Sequence, residues 1–147
     1  MVRLKALQEL SLRNCRSLSR LSPYVGKLSF LRNLSTYLVG EERGFLLEEL
    51  GPLKLKRDLH IKHTERVKSV NDVEEANMSC KQLNKLTLTR GRFIEGKLEG
   101  NYKKVLEVLQ PCNETQSLRV EGYDGARYPE WMSCSSFRYL TYLVFWD

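Results

Sequence analysis

Six pairs of residues, each pair split by a single intervening position, recur along this chain at a near-constant interval. They are Leu10/Leu12, Leu34/Thr36, Leu59/Ile61, Leu86/Leu88, Leu118/Val120 and Leu143/Phe145, with Thr36 the one polar member. The steps between first members are 24, 25, 27, 32 and 25 residues. Side chains two apart on a strand point to the same face, so each pair reads as a short strand with two inward residues. In the opening stretch, Leu4 and Leu7 precede the pair at three-residue spacing and Cys15 follows it, giving LxxLxxLxLxxC. Leu28 and Leu31, Cys80 and Leu83, and Phe137 and Leu140 repeat the upstream positions. The match is poorer at 52–56, where a lysine takes one apolar slot, and at Cys112 and Thr115. A unit this short cannot bury its own apolar face and needs stacked copies of itself.

The pattern is that of a leucine-rich repeat, and it predicts an α/β solenoid of about six irregular repeats. A curved parallel sheet carries short helices and loops on its convex side. Residues 1–147 form one such domain. The chain stops directly after a strand, with no convex return and no polar cap, which predicts a piece of a longer array. Helices are expected near 46–50, 72–79 and 102–110. The first ends at Gly51-Pro52, and Asn71 or Asp72 caps the second, with acids in its first turn. The third carries Val105, Leu106 and Leu109 as an apolar stripe before Pro111. Trp131 is expected to plug the convex core.

A chain that is 41% hydrophobic and 29% charged is a soluble folded one. No apolar run approaches the roughly 20 residues of a membrane span, and Met1-Val-Arg-Leu-Lys opens no signal peptide. Cys15, Cys80, Cys112 and Cys134 fall in different repeats and read as reduced thiols of a cytoplasmic protein. The net charge of +6 is uneven. Residues 1–70 hold 14 Lys/Arg and 7 Asp/Glu, residues 71–147 hold 10 and 11, and the first 32 residues hold 7 and 1. A basic N-terminal face suits nucleic acid, anionic lipid or an acidic protein, or simply faces solvent.

Chemistry-bearing patterns are sparse. Gly91-Arg-Phe-Ile-Glu-Gly96-Lys97-Leu98 nearly spells a phosphate-binding loop. Leu98 stands where a magnesium-holding hydroxyl belongs, though, and the strand before it belongs to a repeat. It reads as an insertion. His60 and His63 lack a nearby thiol or acid cluster for metal, and no nucleophile-and-base arrangement has its signature context. No cofactor, no metal and no enzymatic activity are expected. The triplets at Asn33, Asn77 and Asn113 would be glycosylated only outside the cell.

Binding is expected on the concave strand face, where Tyr37, His60, Lys62, Arg119, Tyr142 and Trp146 are the candidate contacts. Rigid strands lose little entropy on binding, and Tyr, Trp and Arg are enriched where binding energy concentrates. Arg13, Arg16 and Arg20 form a second candidate, the basic patch.

Five ordered segments resemble the leucine-rich repeat region of plant intracellular immune receptors of the coiled-coil, nucleotide-binding type. They are Gly40–Gly51, Leu59–His63 with Glu65–Val67, Asp72–Asn77 with Lys81–Leu83, Val105–Pro111 and Tyr128–Met132. The resemblance implies a protein–protein recognition module of a disease resistance protein that helps detect pathogen effectors. It also implies restraint of an adjoining nucleotide switch, on which the first repeats dock. Neither the coiled coil nor the nucleotide-binding domain is in this chain, so no ATPase activity is implied. The partner is then a protein (effector, host target or the switch domain), with no nucleic acid and no membrane. A generic leucine-rich adaptor and a basic nucleic-acid binder are the rival readings. Acids interleave with the bases after residue 40, which disfavours the latter.

Overall fold

A computed structural model of the chain describes residues 3–91, 99–123, 126–133 and 137–146, with the backbone alone at 99–101. The phosphate-loop-like stretch beyond Gly91, Asp124, Gly125 and Cys134 lie outside the described residues. Among the described residues seven strands run in chain order: β1 (Glu9–Leu10), β2 (Asn33–Leu34), β3 (Thr36–Leu38), β4 (Lys56–Lys62), β5 (Gln82–Thr89), β6 (Ser117–Glu121) and β7 (Tyr142–Trp146). Every neighbouring pair is parallel. Between strands the chain returns through 3-10 turns and two helices, α1 (Val70–Ala76) and α2 (Glu99–Val108). This is the expected α/β repeat architecture.

The register bears out four of the six pairs. Leu59/Ile61, Leu86/Leu88, Leu118/Val120 and Leu143/Phe145 stand in two continuous columns. In the first three pairs both members are buried. Gaps between repeats are closed by Leu28, Leu31, Leu47, Leu50, Leu53 and Leu55, all buried. The leucine slots around 52–56 are therefore filled by Leu53 and Leu55, while Lys54 and Lys56 point to solvent.

The second repeat departs from expectation. The pair there is Leu34 and Tyr37 rather than Leu34 and Thr36, because one extra residue bends the strand at Ser35. Thr36 is opposite His60 and Tyr37 is opposite Ile61, in the core column. The same slip divides the expected single sheet into a two-stranded ladder, β1-β2, and a five-stranded one, β3 to β7. At the seam the Leu12 N–H donates to the Ser35 side chain, Oγ, at 2.7 Å, while the Ser35 carbonyl accepts from His60 N.

Other local corrections have local causes. Ser69, extended and one residue before the helix, caps α1 by accepting from Asn71 N at 3.1 Å, so neither Asn71 nor Asp72 is the cap. Cys80 is exposed and Lys81 goes inside instead, 3% exposed, its Nζ donating to the Leu53 carbonyl at 2.9 Å. Burial lowers the pKa of that amine to about 8. Its four-carbon stem fills apolar space as a leucine would. Trp131 is buried as expected, and its Nε1 donates to the Leu106 carbonyl at 2.8 Å.

Gly51 does more than stop a turn. It follows the 3-10 turn Leu47–Leu50 at the point where that turn meets α1, and a Cβ there would stand 2.1 Å from the Glu75 carbonyl oxygen. Its backbone is right-handed helical, so the constraint is space and not dihedral strain. Gly51→Ala is expected to cost about 2 kcal/mol, the usual scale of overpacking, by forcing α1 off its neighbour. Urea denaturation measures it, and a midpoint equal to the parent's would refute the contact.

Candidate functional site

The open face of the sheet is a grid set by the parallel register. One row runs Asp58, Lys85, Ser117, Tyr142; the next runs Thr36, His60, Thr87, Arg119, Val144; the third runs Leu38, Lys62, Thr89, Glu121, Trp146. These positions alternate with the core columns, as strand geometry requires, although Leu38 and Thr87 on this face are themselves covered by their neighbours. His60, Lys62, Arg119, Tyr142 and Trp146 are therefore all brought to this face as expected. Tyr37 is not. It is 1% exposed, and its hydroxyl donates to the Leu46 carbonyl at 2.6 Å on the other side of the repeat. Burial, followed by Glu49 and Glu48, pushes that phenol's pKa up. The slip at Ser35 turned it inward, and it cannot touch a partner.

The two sites expected separately are partly one. Arg13 and Arg16, on the loop after β1, line a groove of about 580 Å³ together with His60, Lys62, Lys85 and Thr87. Asp58 is the carboxylate in that lining. Among the described residues, none of Arg13, Arg16, Lys62 and Lys85 has a carboxylate within 4.0 Å. The third arginine lies elsewhere. Arg20 sits 5.3 Å from the Phe45 ring centroid, in a hollow shared with Glu41, Glu42 and Arg66. No local pattern places Arg13 beside Lys85. Only the stacking of three repeats does so.

Past the groove the polar side chains engage one another. His60 Nε2 lies 2.6 Å from Thr89 Oγ1, which donates to Glu121 Oε2 at 3.1 Å. Since the threonine hydroxyl spends its proton on the carboxylate, it accepts from His60, which fixes the Nε2–H tautomer. Glu121 Oε1 also stands 3.6 Å from Arg119 Nε, so that guanidinium is neutralised in place. His63 turns away to Glu65 at 3.3 Å, and the two imidazoles share no ligand geometry. No group of three or more His, Cys, Asp or Glu residues suited to a metal occurs among the described residues.

Burial, reinforced by Lys62, holds the His60 pKa below the usual imidazole value of 6.5; Lys85 and Arg119 act the same way and Glu121 opposes them. Below that value the unfolded chain takes up the proton first, so stability falls as pH drops from 6.5 towards the folded-state pKa. An NMR titration should show His60 protonating below 6.5, and His60→Gln should flatten the acid limb of the stability curve. An unaltered limb would show that the shift carries no stability.

The model of the R13L1/DRL21 leucine-rich repeats matches residues 47–147, more than half of the chain. The chain belongs to this family. The chain is 40% identical over 111 residues to disease resistance protein RGA2 of Solanum bulbocastanum, covering 75% of the chain and 11% of that relative. The putative disease resistance protein RGA1 of the same species is 35% identical over 119 residues, covering 81% and 12%. A putative disease resistance RPP13-like protein 1 of Arabidopsis thaliana is 32% identical over 112 residues, covering 70% and 11%. The chain is thus homologous to the repeat region of plant disease resistance proteins and spans about a tenth of the relatives' length. Among the described residues no helix is long and apolar enough to cross a membrane.

Proposed function

We propose that this R13L1/DRL21 chain is the protein-recognition module of a plant disease resistance protein, acting by binding and not by catalysis. In that role it contributes to effector detection and to restraint of a neighbouring nucleotide switch, within the cytoplasm and without nucleic acid or membrane as partner. The observation that carries the reading is the groove itself. Arg13, Arg16, Lys62 and Lys85 gather on rigid strands and an adjoining loop, with Asp58 as the one lining carboxylate among the described residues. Such an array steers an acidic protein surface and fixes its orientation, and it weakens with salt. Homology to disease resistance proteins supplies the biological setting.

The test places this repeat segment in a full-length relative and reverses charge at Arg13 and Arg16, with Arg20 reversed separately. Co-purification of the separately expressed repeat and switch domains is then measured at low and high salt. Loss of association with the first pair, and little change with Arg20, is the expected result. Unchanged association at both salt concentrations would return the groove to a solvated face.

A further inference from the structure

Lys62, Thr89, Glu121 and Trp146 form one row across four adjacent strands. The character of the open face changes along that row. At β4 and β5 it is cationic, with Lys62 and Lys85 joined by Arg13 and Arg16. At β6 Glu121 and Arg119 cancel one another at 3.6 Å. At β7 it is apolar and exposed: Tyr142, Val144 and Trp146 share the face, and Trp146 is 62% exposed. We infer that this face takes an extended protein segment lying across the strands. Its acidic side chains sit over β4 and β5, and a large aromatic or branched apolar side chain reaches Trp146 and Tyr142. This rests on the protein-recognition reading above and names its partner's chemistry.

The spacing fixes the pattern. Strands lie roughly 4.8 Å apart, so β4 to β7 spans roughly 14 Å, or about four residues of extended chain. The acidic cluster and the apolar anchor of the partner are therefore separated by about four positions. Charge also selects among macromolecules. A nucleic-acid strand carries phosphate along its whole length, and one crossing this face would leave the cations for a cancelled ion pair at β6 and an apolar edge at β7, where its charge finds no partner. A segment whose charge is confined to one end meets no such mismatch. The Trp146 edge then contributes contact area that salt does not weaken.

The experiment selects random peptides about ten residues long by display against the whole chain, with variants as parallel targets. The expected consensus is an acidic cluster with an aromatic or branched residue about four positions away. Binding of the enriched peptide, followed by fluorescence anisotropy, should weaken about tenfold in Lys62→Glu with Lys85→Glu. Lys62→Gln with Lys85→Gln should weaken it in the same sense but less, without introducing a new charge. Trp146→Ala should weaken it about fivefold while leaving the salt dependence intact. All these side chains are on the open face, so unchanged circular dichroism separates lost binding from lost fold. Enriched peptides lacking acids, or insensitive to both sets of variants, would overturn the inference and leave the protein-recognition reading standing. No enriched peptide, or tighter binding of an oligothymidylate of about twelve nucleotides, would overturn both.

Discussion

Trp131→Ala is expected to destabilise the chain by roughly 3–5 kcal/mol, the range for removing a buried large aromatic side chain. Two losses combine. The indole fills the back of the fifth repeat, tilted against Phe137 at 5.5 Å between centroids. Its N–H also satisfies the Leu106 carbonyl of α2 at 2.8 Å, and that carbonyl would be left buried without its partner. Trp131→Phe separates the two, since it retains much of the volume but not the donor, and should cost appreciably less than alanine. Chemical denaturation followed by far-ultraviolet circular dichroism measures all three proteins. A Trp131→Ala midpoint within error of the parent would show that the indole contributes nothing to the convex core.

Self-association at β7 is the second large effect expected. Leu143 stands in a core column beside Leu118, yet it is 42% exposed, because β7 pairs only with β6 among the described residues. Half of the strand's backbone polar groups and one apolar column thus face outward, the arrangement that recruits another strand. The chain should sediment as a dimer or larger species at high concentration. Leu143→Lys should return it to monomer, since a lysine on an edge strand opposes pairing at little cost to the fold. A repeat with a polar outer face fused after Asp147 should do the same. A parent chain that stays monomeric at high concentration would contradict the expectation.

Much of this architecture was legible because the leucine-rich spacing is both periodic and redundant. Leu59/Ile61, Leu86/Leu88 and Leu118/Val120 are each bracketed by further apolar positions, so an error at one slot leaves the register intact. Tyr37 was misread for the opposite reason. A one-residue slip reverses every later side chain of a strand, and nothing in Asn33-Leu34-Ser35-Thr36-Tyr37 marks where it occurs. Lys81 and Cys80 exchanged places because a cysteine is the usual interior residue, whereas a lysine enters only where a carbonyl such as that of Leu53 awaits its amine. The candidate site was half legible. Alternation along β4 to β7 placed His60, Lys62, Arg119, Tyr142 and Trp146 on one face. The meeting of Arg13 and Arg16 with Lys85 depends on how a loop lies across neighbouring repeats, which is a tertiary property.

The seam at Ser35 has a bearing on how the groove opens and closes. Burial of the apolar core begins at Leu21; before it, Leu7, Leu10 and Leu12 are only partly covered and Leu4 is exposed. The first repeat is thus held by a two-residue strand and a side-chain rung, while β4 to β7 share long ladders. In an array where each unit contacts only its neighbours, a unit so thinly joined to the next opens at low free energy without unfolding the rest. Amide hydrogens of residues 10–12 should then exchange with solvent well ahead of those in β5. Arg13 and Arg16 ride on that segment, so a partner gripping them must also immobilise it. Its affinity is lowered by the ordering entropy, and its arrival should slow exchange at the first repeat, linking occupancy of the groove to the order of the chain's own N-terminal end.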